Sequence, residues 1–259
     1  MRPTRSQLLQ LAVLGGIMLM QVAIYYLVPR GVQAGLALNH QDPKILTWFT
    51  HAFIHHHGPA DQHLWSNMTM YLMAVIPLWT LYEMEDRRQQ FWISFIALFV
   101  IVPPVGSLVS ELVYEGVLGA TMQYSRGFSS IATSLAGFLL ASTLEIFDRH
   151  QPPKLRYVTL GGIVVFLLAA LASTINLSPI PIVFGGLAIV GTVVILGVWK
   201  LGYVAGPSEI SMWVRQNRAL SLVAYCGIAV AFLAIQSVAP DNFTQNDSFV
   251  NFVAHGVGF

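Results

Sequence analysis

Apolar runs as long as a lipid bilayer is thick recur along this chain, at residues 8–28, 64–82, 91–112, 128–147, 157–175, 181–199 and 219–237, with a further one from Phe249 to the end. A hydrocarbon core of about 30 Å needs about 20 helical residues to cross it, and in lipid each backbone N–H and C=O must be satisfied within the segment. Runs of this length therefore fold as helices. Of all residues 55% are hydrophobic and 10% charged, against roughly 45–50% and about 25% in soluble domains. The expected fold class is all-α, a polytopic membrane helical bundle of about eight spans. The last runs from near Asp247 to Phe259, about 12 residues or about 18 Å of helix, and is expected to be truncated.

Basic residues fall in alternate connections. Arg2 and Arg5, then Arg87 and Arg88, then Arg149, Lys154 and Arg156, then Lys200, Arg215 and Arg218 occupy the amino terminus and every second loop, while the opposite loops hold Arg30, Lys44 and Arg126. Cytoplasmic loops are enriched in Lys and Arg. The pattern predicts a multi-pass protein of the cell membrane with a cytoplasmic amino terminus, and places the connections 29–62, 112–127, 176–180 and 238–247 outside. Leu8 to Val28 is longer than the about 7–15 residues of a signal-peptide core, so a retained helix is expected there. Trp48, Phe49, Phe53 and Ile54 interleave with histidines in the long first connection, as in a segment that dips into the interface. Pro103 and Pro104 are expected to kink the third helix.

A net charge of +1 leaves no field to gather nucleic acid or an acidic substrate. Electrostatic partners are therefore not implied, nucleic acid included, and the lipid bilayer is the partner expected from the apolar runs. Cys226 is the single cysteine, which excludes an intramolecular disulfide and leaves a thiol expected to be buried. With no repeat, low-complexity tract or soluble segment, residues 1–259 read as one membrane domain.

Polar side chains in lipid cost free energy unless paired, so those kept within or beside the spans are the candidates for chemistry. Three clusters stand out: His51, His55, His56, His57 and His63 followed by Asn67; Gly127, Phe128, Ser129 and Ser130; and Ala254, His255, Gly256, Val257 and Gly258. His63 and Asn67 are four apart, so on a helix both lie on one face and can donate hydrogen bonds to one point. Ser129 opens the fourth span, where free N–H groups and the helix dipole favour a developing oxyanion. Gly127 admits a tight entry to that helix. Under the expected topology the second, fourth and eighth spans all enter from outside, so the three clusters share one level. Small residues on the fourth and eighth spans permit close approach. A serine hydroxyl needs a hydrogen-bonded imidazole to accept its proton during attack. The span that carries His255 holds no carboxylate, so a dyad is expected rather than a triad.

The order His51-x-x-x-His55, His63-x-x-x-Asn67, Gly127-x-Ser129, Ala254-His255-x-x-Gly258, on separate spans and with the run Trp48-Phe49-Thr50-His51-Ala52-Phe53-Ile54-His55, resembles the rhomboid family of intramembrane serine proteases. That resemblance implies a rhomboid-like bundle around a water-filled cavity open to the outside. It implies Ser129 as nucleophile and His255 as general base, with His63, Asn67 and the Ser129 backbone N–H as the oxyanion hole. Gly127, Ser130, His51, His55 and Gly258 are supporting residues, no cofactor or metal is implied, and the substrates are transmembrane proteins. Ser130 stands where the family usually has glycine, Thr133 where many members have tyrosine, and Leu46-Thr47 where a Trp-Arg pair is common. Three spans separate the serine and histidine helices instead of one, so two helices within 157–237 are additional.

Each residue also has a plainer role. A lone serine at a helix start is ordinarily a cap, a lone membrane histidine a packing residue, and His51 and His55 loop anchors. The histidines with Asp61 also invite zinc, but no His-Glu-x-x-His motif is present. A further alternative is an inactive rhomboid-like protein that binds transmembrane segments. The three clusters coinciding at one depth is what the plainer roles leave unexplained.

Overall fold

The computed structural model describes residues 4–57, 61–117, 119, 123–174, 180–238, 244–245 and 248–249. Among them are ten α-helices: α1 Arg5–Leu27, α2 Arg30–Leu36, α3 Thr47–Thr50, α4 Gln62–Met84, α5 Arg88–Gly116, α6 Ser129–His150, α7 Pro153–Thr174, α8 Ile180–Lys200, α9 Pro207–Gln216 and α10 Arg218–Val238. Two-residue strands β1 (Leu38–Asn39) and β2 (Tyr124–Ser125) pair antiparallel, as do β3 (Thr244–Gln245) and β4 (Ser248–Phe249). Seven of the eight expected spans coincide with long helices. The eighth lies outside the described residues apart from Phe249. Among the described residues four helices are long and apolar enough to cross a membrane, by length and composition: α1, α5, α6 and α10 through Ile235.

The bundle is arranged around α6, which is flanked by α4, α5 and α10 and is the most buried of the four candidate spans. Its sequence suits that place. Ser130, Ala132, Thr133, Ser134, Ala136, Ser142 and Thr143 are small and buried, which lets neighbouring backbones approach. Their hydroxyls need partners. Thr133 Oγ donates to Ser129 O (2.9 Å), Ser134 Oγ donates to Ser130 O (2.7 Å), and Ser142 Oγ lies 3.2 Å from Tyr82 Oη of α4. The main apolar core joins Leu14 of α1, Tyr71, Val75 and Leu78 of α4, Phe91 and Phe95 of α5, Ile131 and Leu135 of α6, and Val230 and Ala234 of α10. Tyr71 Oη also donates to Leu14 O across α4 and α1 (3.0 Å).

The basic loops meet at one end. Arg88 pairs with Glu83 (2.7 Å), Arg87 with Glu145 (3.0 Å), His150 with Glu85 (2.8 Å) and Arg156 with Asp148 (2.6 Å). At α1's start, Thr4 and Gln7 form a capping box, and Gln7 donates to Glu83 (2.8 Å). Trp213 of α9 packs edge-on against Phe147, near the end of α6. α9 lies in the connection between the apolar runs 181–199 and 219–237. Pro207 at its first position and Glu209, which accepts from Gly206 N–H (2.8 Å), start it, as expected for a proline N1 and an N3 carboxylate.

α7 and α8 form a tightly packed hairpin on the outside of the bundle, where α7 also touches α10. Gly161 and Gly191 make this approach: a Cβ on Gly191 would lie 2.7 Å from Val165 Cγ2 and one on Gly161 3.0 Å from Ile195 Cδ1. The hairpin leaves α10 free to lie on α4 and α6, where Gly227 abuts Thr143 and Leu139. Two expectations change in detail. Cys226 is half-buried, and the first connection folds into α2, β1, α3 and a 3-10 turn, His51–Phe53. α5 is continuous over 29 residues, with Pro103 and Pro104 inside it.

Candidate active site

The end of the bundle opposite the ion pairs carries His51, His55, His57 and His63. The first connection is pinned there by apolar contacts: Ala52 and Ile54 are buried, and Phe53 meets Phe99 of α5 and Phe128 just before α6, both at 6.3 Å between ring centres. This burial orders the backbone around His51. His51 Nδ1 donates to Thr47 O (2.9 Å), leaving Nε2 to accept from Ser107 Oγ of α5 (3.0 Å). Its carbonyl accepts from Gly127 N–H (3.0 Å). His51 thus joins the first connection, α5 and the turn ahead of Ser129. Ser107 drew no notice in the sequence, because one serine in an apolar run carries no signal by itself.

Gly127 is the point of convergence. Its φ is +127°, a region that L side chains rarely adopt. A Cβ placed there would sit 3.0 Å from His63 Cε1, 3.8 Å from His63 Nε2 and 3.8 Å from Ser129 Oγ. The imidazole of α4 and the hydroxyl of α6 therefore border the same small space, and a glycine keeps it open. Ser129 is the first residue of α6, and the N-cap residue Phe128 makes no side-chain cap. Gly127→Ala is expected to destabilise the bundle by about 1–3 kcal/mol through backbone strain. It should also displace His63, whose ring the added Cβ would meet at 3.0 Å; a melting curve checks the loss of stability.

One turn further along α4, Asn67 is buried, and its Nδ2 lies 3.3 Å from His55 Nε2. The amide has two N–H donors. Holding one against His55 aims the other away from it. The His55 and His63 rings meet edge to face at 5.6 Å. Beside them, Asp61 takes a left-handed conformation (φ 52°). Its carboxylate accepts from Tyr25 Oη (2.5 Å) and Tyr26 Oη (2.6 Å). His57 stacks on Tyr25 at 4.1 Å. Tyr25, Tyr26, Arg30, His57 and Asp61 line a polar cavity of about 460 Å³. The two tyrosines end an apolar run, and no spacing in the chain links them to Asp61.

Burial sets the protonation of this region. The His51 imidazole is pushed down to about 4, chiefly by burial. His55 is pushed down to about 3 by burial and then by the neighbouring His63 and His57. The Asp61 carboxyl is lowered by the hydrogen bonds from Tyr25 and Tyr26. Both imidazoles are therefore neutral in the fold near neutral pH, and the unfolded chain takes up protons first as pH falls. Their contribution to stability is complete above about 6.5 and is lost as pH drops toward 4 and then 3. Thermal unfolding in detergent micelles should show a melting temperature that falls across that window, and less steeply in His51→Gln.

The residues expected to form the site separate into two groups. Gly127, Ser129, Ser130, His51, His55, His63 and Asn67 are gathered at one end of the bundle, on α4, α6 and the turns before them. His255 and Gly258 lie outside the described residues. Among the described residues no group of three or more His, Cys, Asp or Glu side chains is placed to hold a metal ion. Comparison with protein-family models, with curated proteins and with solved structures finds no match to this chain.

Proposed function

We propose that this protein is a rhomboid-like intramembrane serine endopeptidase that cleaves transmembrane protein substrates near the outer leaflet with a Ser129–His255 dyad. The observation that carries the reading is the shared border of Ser129 Oγ and the His63 ring at Gly127, with Asn67 held by His55 one turn away. In this reading α4, α7 and α8 also cross the bilayer, the segment after α10 enters it, and the ion-paired end faces the cytoplasm. α10 supports a final span that enters at the Ser129 end. It starts among Leu81, Ile146 and Phe147 at the ion-paired end and finishes among the core residues nearer Ser129.

The chemistry assigned to each group follows from what it can donate or accept. Ser129 Oγ attacks the scissile carbonyl carbon while the His255 imidazole takes its proton and later passes it to the departing amine. The carbonyl oxygen becomes an oxyanion, which accepts from the His63 ring, from the Asn67 N–H not engaged by His55, and from the uncapped Ser129 backbone N–H. Water then hydrolyses the acyl-enzyme. His51 and His55 remain neutral and act as props.

A fluorophosphonate reacts only with an activated serine, so it tests this reading directly. The expected result on the full chain in proteoliposomes is a single adduct that mass spectrometry maps to Ser129, absent in His255→Ala. Labelling that persists undiminished without His255 would remove the base from the proposal. An inactive protein that binds transmembrane segments would show no labelling at all.

A further inference from the structure

A second chain of polar groups lies beside the site and has no part in the chemistry above. His40 Nε2 is 2.8 Å from Ser125 Oγ, and His40 Nδ1 is 3.1 Å from Glu111 Oε2. His40 and Ser125 are buried, while the Glu111 side chain is 31% exposed. With its Nδ1–H donating to the carboxylate, the imidazole accepts the Ser125 hydroxyl proton at Nε2. Three elements far apart in sequence are joined by this one ring: the residue after β1, the outer end of α5, and β2 ahead of α6.

We propose that His40, held by Glu111, is a positioning residue that fixes the Gln123–Phe128 approach and through it the placement of Ser129; this inference rests on the serine-protease reading. The approach is tied at a few points only. Leu38 pairs with Ser125 and Asn39 with Tyr124, His40 N–H donates to Gln123 O (3.0 Å), and Gly127 N–H donates to His51 O (3.0 Å). A pair of two-residue strands is marginal in water without further support. The buried Ser125–His40–Glu111 chain supplies that support four residues before the proposed nucleophile. Releasing it frees the turn that sets both the Ser129 hydroxyl and its backbone N–H.

The same Ser–His–carboxylate order is the one that activates a nucleophile, which makes Ser125 the rival interpretation. Its burial argues against that. Ser125 is 6% exposed, its hydroxyl is engaged by His40 at 2.8 Å, and the far side of that imidazole meets Trp48 edge to face at 6.5 Å between centres. A hydroxyl so covered is a poor target for a peptide carbonyl.

The test compares full-length variants in proteoliposomes, with kcat and KM measured on a single-pass substrate and fluorophosphonate adducts mapped by mass spectrometry. His40→Ala is expected to lower kcat and the Ser129 labelling rate together by about 30- to 100-fold, with KM within about threefold of wild type, because a nucleophile displaced by about 1 Å loses rate and not substrate affinity. Glu111→Gln keeps an acceptor for the Nδ1–H and should retain about a third or more of kcat, whereas Glu111→Ala should fall with His40→Ala. If His40→Ala does not fold, Ser125→Ala removes one oxygen and should still lower kcat by about tenfold. Wild-type kcat in the folded His40 or Ser125 variant, or a raised KM with unchanged kcat, would overturn the positioning role. An adduct on Ser125 that survives in Ser129→Ala would overturn it in favour of a second nucleophile. Undiminished cleavage by Ser129→Ala would instead remove the protease reading itself, so the two failures are told apart.

Discussion

Ser129→Ala is expected to lower cleavage of a single-pass substrate in proteoliposomes to the level of protein-free vesicles, and His255→Ala to do the same. A nucleophile and its base act as a unit, so losing either costs nearly as much as losing both, on the order of 10⁴-fold or more in kcat. The double variant should therefore be no slower than either single one. Ser129→Ala deletes one oxygen at a partly exposed helix start, so its melting temperature should stay within a few degrees of wild type. Comparable cleavage by wild type and Ser129→Ala would defeat the assignment, because no other activated serine is part of it.

Asn67→Ala should lower kcat by about a hundred- to a thousandfold with little change in KM, the usual loss when one oxyanion donor is removed. The geometry sharpens this expectation. Asn67 Nδ2 is engaged by His55 Nε2 at 3.3 Å, so His55→Ala should reproduce part of the loss by letting the amide rotate, although His55 itself touches no reacting atom. Asn67→Asp is nearly isosteric but replaces a donor with a charge that opposes the oxyanion, and should be slower than Asn67→Ala. Steady-state kinetics on the four proteins checks the ranking. An Asn67→Asp variant as fast as wild type would mean that no negative charge develops near that side chain.

Much of the architecture was legible in the chain. Apolar length fixed seven helices to within a few residues, because a long helix is a local property: its residues satisfy their own backbone hydrogen bonds within the segment. The alternation of Arg and Lys anticipated that the loops near 87, 149 and 200–218 would share an end, and ion pairs such as Arg87–Glu145 and Arg88–Glu83 hold that end together. Spacing also set His63 and Asn67 on one face of α4, since four residues make about one turn. The pattern failed where order depends on neighbours. α2, α3, β1 and β2 are too short to leave a periodic signature and form because Ala52, Phe53 and Ile54 are drawn into the core.

The order of His51, His55, His63, Asn67, Gly127 and Ser129 along the chain, and the spans that carry them, were set by sequence alone, since residue type and spacing are one-dimensional quantities. Only the folded bundle decided that His51 would brace Gly127 and Ser107, that His55 would hold Asn67, and that His63 and Ser129 would meet across an unfilled Cβ position. Those contacts join helices and turns far apart in the chain, and their distances depend on how small residues let α6 sit among α4, α5 and α10. Close packing fixes such distances to a fraction of an ångström, a scale on which hydropathy and spacing carry no information.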